Sequence, residues 1–258
     1  MLGIVLGPSQ AEAQDSPQTI ADGLELHRAS LGEGRQATYL RVDLAKFDVR
    51  VLTALVPIDE PNISATQILE RAARGYFLKD YRTLYGAKAV LSGGYIASFS
   101  PPMALGLVKS NGVIANEFHK SWLTEGLFCS DVGRVKIDDD VDKDEFRDCL
   151  QTGPLLLLRG QPPRAGRSTR ASGYDKLARA VQEQSFVCSS GDNEVVLGVT
   201  DKIDLPTLVA FLSRGEVGCV DAIRLTGKET AGLALEDKLI GNDQYLFPSV
   251  LAVMAREP

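Results

Sequence analysis

Lys88-Ala89-Val90-Leu91-Ser92-Gly93-Gly94-Tyr95 is the stretch on which the reading of the fold turns. Its start has the apolar run of a buried strand, and the run is cut off by two glycines. Two further apolar segments meet the same punctuation. Residues 155–158, all leucine, follow Gln151-Thr152-Gly153-Pro154, and residues 220–225 run into Thr226-Gly227-Lys228-Glu229-Thr230. Strands that end in glycine and small polar residues present backbone N–H groups and short side chains where α/β architectures commonly bind ligands.

Working outward, residues 38–43 and 49–55 alternate apolar and polar positions across a short charged connection, which predicts a hairpin. Ser64-x-x-Gln67 has capping-box form ahead of Ile68, Leu69 and Ala72, a helix stopped at Gly75, and residues 76–85 predict a second helix. Asn111-Gly112 between residues 105–109 and 113–114 is the clearest hairpin signal in the chain. Strands are expected at 122–129 and 134–137 across Asp131-Val132-Gly133, and a short helix at 142–150. A loop rich in Arg, Gly, Pro and Ser covers 159–179. A hairpin follows around Ser189-Ser190-Gly191-Asp192, then a helix capped by Asp204 and a closing strand within 245–254. The pattern predicts an α+β (mixed α/β) fold: largely antiparallel or mixed sheets with flanking helices, as a single domain over residues 38–254. Residues 14–37 read as an N-terminal extension and residues 1–13 as a truncated export signal, because an apolar start leads to a small-x-small site at Ala11-Glu12-Ala13.

With 258 residues, 44% of them hydrophobic, the chain can bury a full core without a metal or a dense disulfide framework. A formal charge of −6 lacks the excess of Lys and Arg that a phosphate-neutralising surface needs, so no nucleic-acid partner is expected. No segment has the length of apolar sequence that an integral membrane helix requires. The cysteines, Cys129, Cys149, Cys188 and Cys219, show no C-x-x-C spacing. In an exported protein the favoured pairing is Cys129 with Cys149 and Cys188 with Cys219, since each pair brackets a local unit; in a reducing compartment the same residues would be buried thiols.

Several site chemistries are unsupported. The acidic run at 138–145 fails as an EF-hand, because a loop starting at Asp140 puts Glu145 where Gly is required and Gln151 where Glu is required. His27 and His119 have no partner at metal-ligand spacing, and there is no G-x-S-x-G elbow, P-loop or dinucleotide fingerprint. No metal or cofactor is expected. Arg159, Arg164, Arg167 and Arg170 share one loop that suits either a solvated surface or an anion clamp.

Taken in order, Ser92-Gly93-Gly94-Tyr95-Ile96, Gly106-Leu107-Val108 before Asn111-Gly112, Gln151-Thr152-Gly153-Pro154 and Gly218-Cys219-Val220-Asp221-Ala222-Ile223 resemble the phosphodiester glycosidase domain family. That family includes the enzyme that removes N-acetylglucosamine from a phosphodiester on mannose. The resemblance spans roughly residues 38–254. Departures cluster at the expected site: Ser92 stands for an Asn, Ile96 for an aromatic, and Gln184-Ser185-Phe186-Val187-Cys188 for a stretch that usually carries an Arg. The last motif, usually Asn-Leu-Asp-Gly-Gly, here reads Arg224-Leu225-Thr226-Gly227-Lys228.

Because an oxocarbenium-like transition state needs positioned carboxylates, the resemblance makes Glu229 the candidate substitute acid. Asp221 is the other nearby acid, though its place inside the strand pattern suits a structural role. Ser92, Gly93, Gly94, Tyr95, Thr152, Gly153, Arg224, Thr226, Gly227, Lys228 and Thr230 are then the candidate substrate-binding residues, with Arg224 or Lys228 on a phosphate or carboxylate. Two functions follow: a periplasmic or secreted hydrolase of a sugar phosphodiester or cell-envelope glycan, or a glycan-binding module on the same fold. The expected ligand in both is a carbohydrate or sugar phosphate.

Overall fold

The computed structural model describes residues 16–54, 75–163, 173–191 and 193–256. In chain order they form β1 (Gln18–Ala21), β2 (Leu24–Gly32), β3 (Arg35–Asp43), β4 (Phe47–Leu52), helix α1 (Leu78–Tyr85), β5 (Ala89–Ser92), β6 (Ile96–Phe99) and β7 (Pro102–Ala104). Then come β8 (Val108–Ser110), β9 (Val113–Asn116), β10 (Gly126–Asp131), β11 (Arg134–Asp138), β12 (Asp148–Thr152) and β13 (Leu155–Leu157). Helix α2 (Tyr174–Arg179), β14 (Gln182–Ser189), β15 (Glu194–Ile203), helix α3 (Leu205–Leu212), β16 (Asp221–Gly227), β17 (Gly232–Ala234), β18 (Leu239–Gly241) and β19 (Val250–Ala255) complete the order.

Among the described residues the strand pairs are antiparallel throughout. They build a seven-stranded sheet, β1-β2-β3-β15-β14-β16-β13, and two five-stranded sheets, β11-β10-β12-β8-β9 and β18-β17-β5-β19-β4; β6 and β7 form a separate arm. The expectation of antiparallel sheets is met, but the fold is strand-rich and its helices are three short ones among the described residues. Both faces of the central strands are covered, which is why their sequences read as unbroken apolar runs. Val187 of β14 and Leu197 of β15 meet Leu91 of β5 and Leu251 of β19 in the shared core. Their neighbours Phe186 and Val196 point the other way, under Leu208 and Phe211 of α3, and Val90 and Ala252 lie under Leu78 and Tyr81 of α1.

Local signals explain the element ends. Asn111 and Gly112 adopt φ of 50° and 81°, the left-handed pair that a two-residue hairpin needs, and join β8 to β9. The Asp204 carboxylate accepts the Thr207 N–H at 2.9 Å and starts α3 as expected. Helix α1 is begun from a distance: the Asp243 carboxylate accepts the N–H groups of Leu78 and Lys79.

Four expectations are corrected. Segments 38–43 and 49–55 do supply strands, but β3 pairs with β2 and β15 while β4 pairs with β19, so the short connection carries the chain between sheets. Alternation records which face is buried and not which strand lies alongside. Residues 142–150 form a 3-10 turn at Lys143–Glu145 and then β12, because Asp148 and Cys149 have partners across the sheet that a helix would forfeit. The unbroken apolar run at 155–158 predicts a central strand, but Leu155–Leu157 is buried and lies at the sheet edge. Residues 18–37, read as an extension, supply β1, β2 and the start of β3. The export signal at 1–13 and the capping box at 64–67 lie outside the described residues.

Both disulfides form as paired in the sequence reading. Cys129 and Cys149 are direct cross-strand partners on β10 and β12, and Cys188 on β14 joins Cys219 ahead of β16.

Candidate functional site

Strand β16 carries the site. Ile223 and Leu225 face the shared core and Ala222 the core beneath α3, so the next residue on the Ala222 side, Arg224, is also drawn inward; it is 2% exposed. Its Nε donates to Gln184 Oε1 at 2.6 Å and its Nη1 donates to the Tyr95 hydroxyl, with the guanidinium 5.3 Å from the Tyr95 ring centre. Gln184 is itself fixed by donation from Nε2 to the Ile203 carbonyl at 2.9 Å. Both partners of the guanidinium are neutral. Among the described residues no carboxylate pairs with Arg224, and Nη2 donates no hydrogen bond. Burial pulls the Arg224 pKa below the usual arginine value and pushes the Tyr95 hydroxyl up, Arg224 opposing the latter.

Gly227 is required by this arrangement. A methyl group there would lie 2.1 Å from Arg224 Nη2 and 2.6 Å from the Glu183 carbonyl oxygen, so any side chain would displace the guanidinium. Beyond it the chain makes a 3-10 turn, Lys228–Thr230, with Lys228 at φ 57° and the side chains of Lys228 and Glu229 exposed. Thr230 Oγ1 donates to the Gly227 carbonyl at 2.7 Å and lies 2.7 Å from Thr226 Oγ1, which pins the turn.

These groups border one cleft of about 250 Å³. Its lining combines the polar groups Arg224, Thr226, Lys228, Glu229 and Thr230 with the apolar side chains Ile96, Phe99 and Leu177, and includes Tyr95. The cleft therefore joins a buried cation and an exposed carboxylate to an apolar face.

Other predicted residues support the site from below. Ser92 is fully buried, its Oγ 3.2 Å from Ser185 Oγ, which accepts the Thr226 N–H at 3.1 Å. Thr152 Oγ1 donates to the Leu225 carbonyl at 2.8 Å, and the Arg224 N–H reaches the Pro154 carbonyl, so the 151–154 turn positions β16. Gly93 allows close approach: a Cβ would lie 2.3 Å from the Ser249 carbonyl oxygen. Gly94 and Gly153 pack against the Gln151 and Leu123 carbonyls in the same way, less tightly. None of these side chains or glycines lines the cleft among the described residues. Asp221 stands at the far end of β16, roughly 20 Å from Gly227 at ~3.3 Å per residue, where its Oδ1 accepts the Arg159 N–H. Asp221 is a structural cap and is not brought to the cleft. Arg159 lies there too, whereas Arg164, Arg167 and Arg170 lie outside the described residues.

Gln184, Phe99 and Leu177 were missed as site residues. Gln184 carried little signal, because it stands with Gln182, Glu183 and Ser185 at the polar start of β14; Phe99 stands just before Ser100-Pro101-Pro102, a stretch whose prolines predict a loop.

The family model for phosphodiester glycosidase matches residues 85–253, well over half of the chain. No curated protein sequence matches it. Among solved structures, a hypothetical protein from Synechocystis aligns with a TM-score of 0.69 at 12% identity, covering 96% of this chain, which spans 64% of that one. The catalytic domain of zebrafish N-acetylglucosamine-1-phosphodiester α-N-acetylglucosaminidase, auto-inhibited by its pro-peptide, aligns at 0.64 with 13% identity, covering 95% of this chain and 87% of that one. A Burkholderia pseudomallei protein named as exported aligns at 0.60 with 10% identity, over 90% of this chain and 74% of that one. At these identities the structures establish a shared fold, and the family match establishes the rest: the chain belongs to the phosphodiester glycosidase family.

Proposed function

We propose that the cleft binds a sugar phosphodiester and hydrolyses it, with Arg224 as the receptor for the phosphate and Glu229 as the base. The observation that carries the reading is Arg224 itself, a buried cation with only neutral partners and Nη2 N–H groups left to donate. Burying an unpaired charge is costly, and an anionic ligand supplies the missing partner through two charge-assisted hydrogen bonds. Lys228 on the rim adds a second cation for the same group.

The chemistry needs fewer carboxylates than cleavage of an ordinary glycoside. When the bond from the anomeric carbon to the phosphate oxygen breaks, both electrons leave with the phosphate oxygen. The product is a phosphate monoester whose second pKa is near ~6, so the leaving group needs no general acid at neutral pH. Arg224 stabilises the charge that develops on it. Glu229 takes a proton from the water whose oxygen attacks the anomeric carbon, and the free sugar results. Thr226, at the family's acid position, has its hydroxyl committed to Thr230.

The localisation proposed is periplasmic or secreted, supported by two disulfides and by an exported protein of like fold. The test is ³¹P NMR of a hexose 1-phosphodiester mixed with purified protein. Phosphate monoester should accumulate with wild type and slow at least ~100-fold with Glu229→Gln. Equal rates for the two proteins would remove Glu229 from the mechanism. A second reading, a glycan-binding module, is favoured by one feature: Glu229 is exposed and no hydrogen bond among the described residues holds it. Retained binding without turnover would select it.

A further inference from the structure

The lining of the cleft that holds Arg224 also includes an aromatic side chain that anion chemistry does not call for. Phe99, at the end of β6, is 49% exposed, and its ring packs against Tyr245 with centres 4.8 Å apart at 44°. Among the described residues the arm formed by β6 and β7 pairs with no other strand, and a two-stranded ribbon is marginal alone. It is held by the Leu105 N–H to the Tyr95 carbonyl at 2.9 Å, by Asn116 Nδ2 to the Ala104 carbonyl at 3.1 Å and by the contact with Tyr245. The arm thus fixes a phenyl ring in the mouth of the cleft with Ile96 and Leu177 beside it.

We propose that Phe99, backed by Tyr245, is the platform on which the pyranose ring of the ligand stacks, so that the cleft takes one phosphorylated sugar unit with its ring on Phe99 and its phosphate on Arg224. The phosphate half of this assignment rests on the function proposed above; the platform rests on the aromatic wall. An aromatic face is electron-rich and attracts partly positive C–H groups, which one face of a pyranose presents in a row. The cleft lining combines cations, Arg224 and Lys228, with the apolar side chains Ile96, Phe99 and Leu177, as an amphipathic phosphorylated sugar requires. A volume of about 250 Å³ falls below the ~300–1,000 Å³ typical of drug-sized ligands, which suits one sugar unit with the rest of the substrate outside.

The experiment is calorimetric titration with three probes: inorganic phosphate, a hexose 1-phosphate and the neutral methyl glycoside of the same hexose. Wild type should bind the hexose phosphate about three- to tenfold more tightly than phosphate, the scale of one aromatic contact. Phe99→Leu keeps an apolar group but loses the ring, and should abolish that preference while leaving phosphate affinity unchanged. Tyr245→Leu, acting through Phe99, should reduce the preference in part. A wild type without the preference, or a Phe99→Leu variant that keeps it or weakens both anions equally, overturns the platform. If phosphate does not bind but the methyl glycoside does, and Phe99→Leu weakens it, the platform stands and the anion reading falls.

Discussion

Arg224 occupies the position of a side chain that ought to be apolar and has neutral partners among the described residues, and the anion proposed above would supply the missing charge. A bound anion should therefore stabilise the fold. Phosphate at a hundred times its Kd should add about 2.7 kcal/mol to wild-type stability and nothing to Arg224→Gln, read as the shift of the unfolding midpoint. Gly227→Ala should cost about 1–3 kcal/mol by overpacking and should lose phosphate affinity as well, because the new methyl group takes the place of Nη2. Calorimetry on the folded variant checks both. At this scale the sequence was partly legible. Arg224, Lys228, Glu229 and Gly227 stood out through the order of the turns, but the burial of Arg224 did not, since an arginine near a strand end normally reaches water. Asp221 was misplaced for a plain geometric reason: an extended strand separates its two ends, so nearness in sequence became distance in space.

Elements with local start signals were legible, and those defined by distant partners were not. The Asp204 cap is of the first kind. Asp204→Ala should cost about 1 kcal/mol at neutral pH in a chemical denaturation. Hydrogen bonds from Thr207 hold the Asp204 carboxyl below the ordinary carboxylate range, so its contribution is present above that range and is lost as pH falls through the lowered value. The difference between the two proteins should vanish in strong acid. Strand β12 is of the second kind. Ahead of it Asp142 and Asp144 look like a helix start, and Asp142 does cap a turn, yet Asp148 onward is claimed by β10 and β8. The β3–β4 connection fails for the same reason, because its strands are chosen by partners remote in sequence.

Across the whole molecule a buried ion pair links two of the sheets, and each disulfide closes a link within one sheet. Arg50 of β4 and Asp148 of β12 pair between the two five-stranded sheets with 7% and 0% side-chain exposure. Burial pushes the Asp148 pKa up and Arg50 opposes it. Arg50→Met would leave that carboxyl unpaired, at a cost of about 3–5 kcal/mol. The loss should deepen as pH rises, since a raised carboxyl pKa makes ionisation unfavourable in the folded state; urea melts at acid and neutral pH test the sign. The disulfides close spans of 20 and 31 residues, and reducing them should lower stability by about 3 kcal/mol each, with peptide mapping confirming the pairing. Their pairing was readable because each spans a local unit, whereas sheet order was not, because no local pattern encodes it. The central claim, that this family member recognises an anion through a buried arginine, is tested most directly by the ¹⁵N–¹H signal of Arg224 Nε during titration with a hexose 1-phosphate. The account predicts a saturable shift of that signal, absent from Arg224→Gln, at a Kd matching calorimetry; binding that leaves the signal unmoved would contradict it.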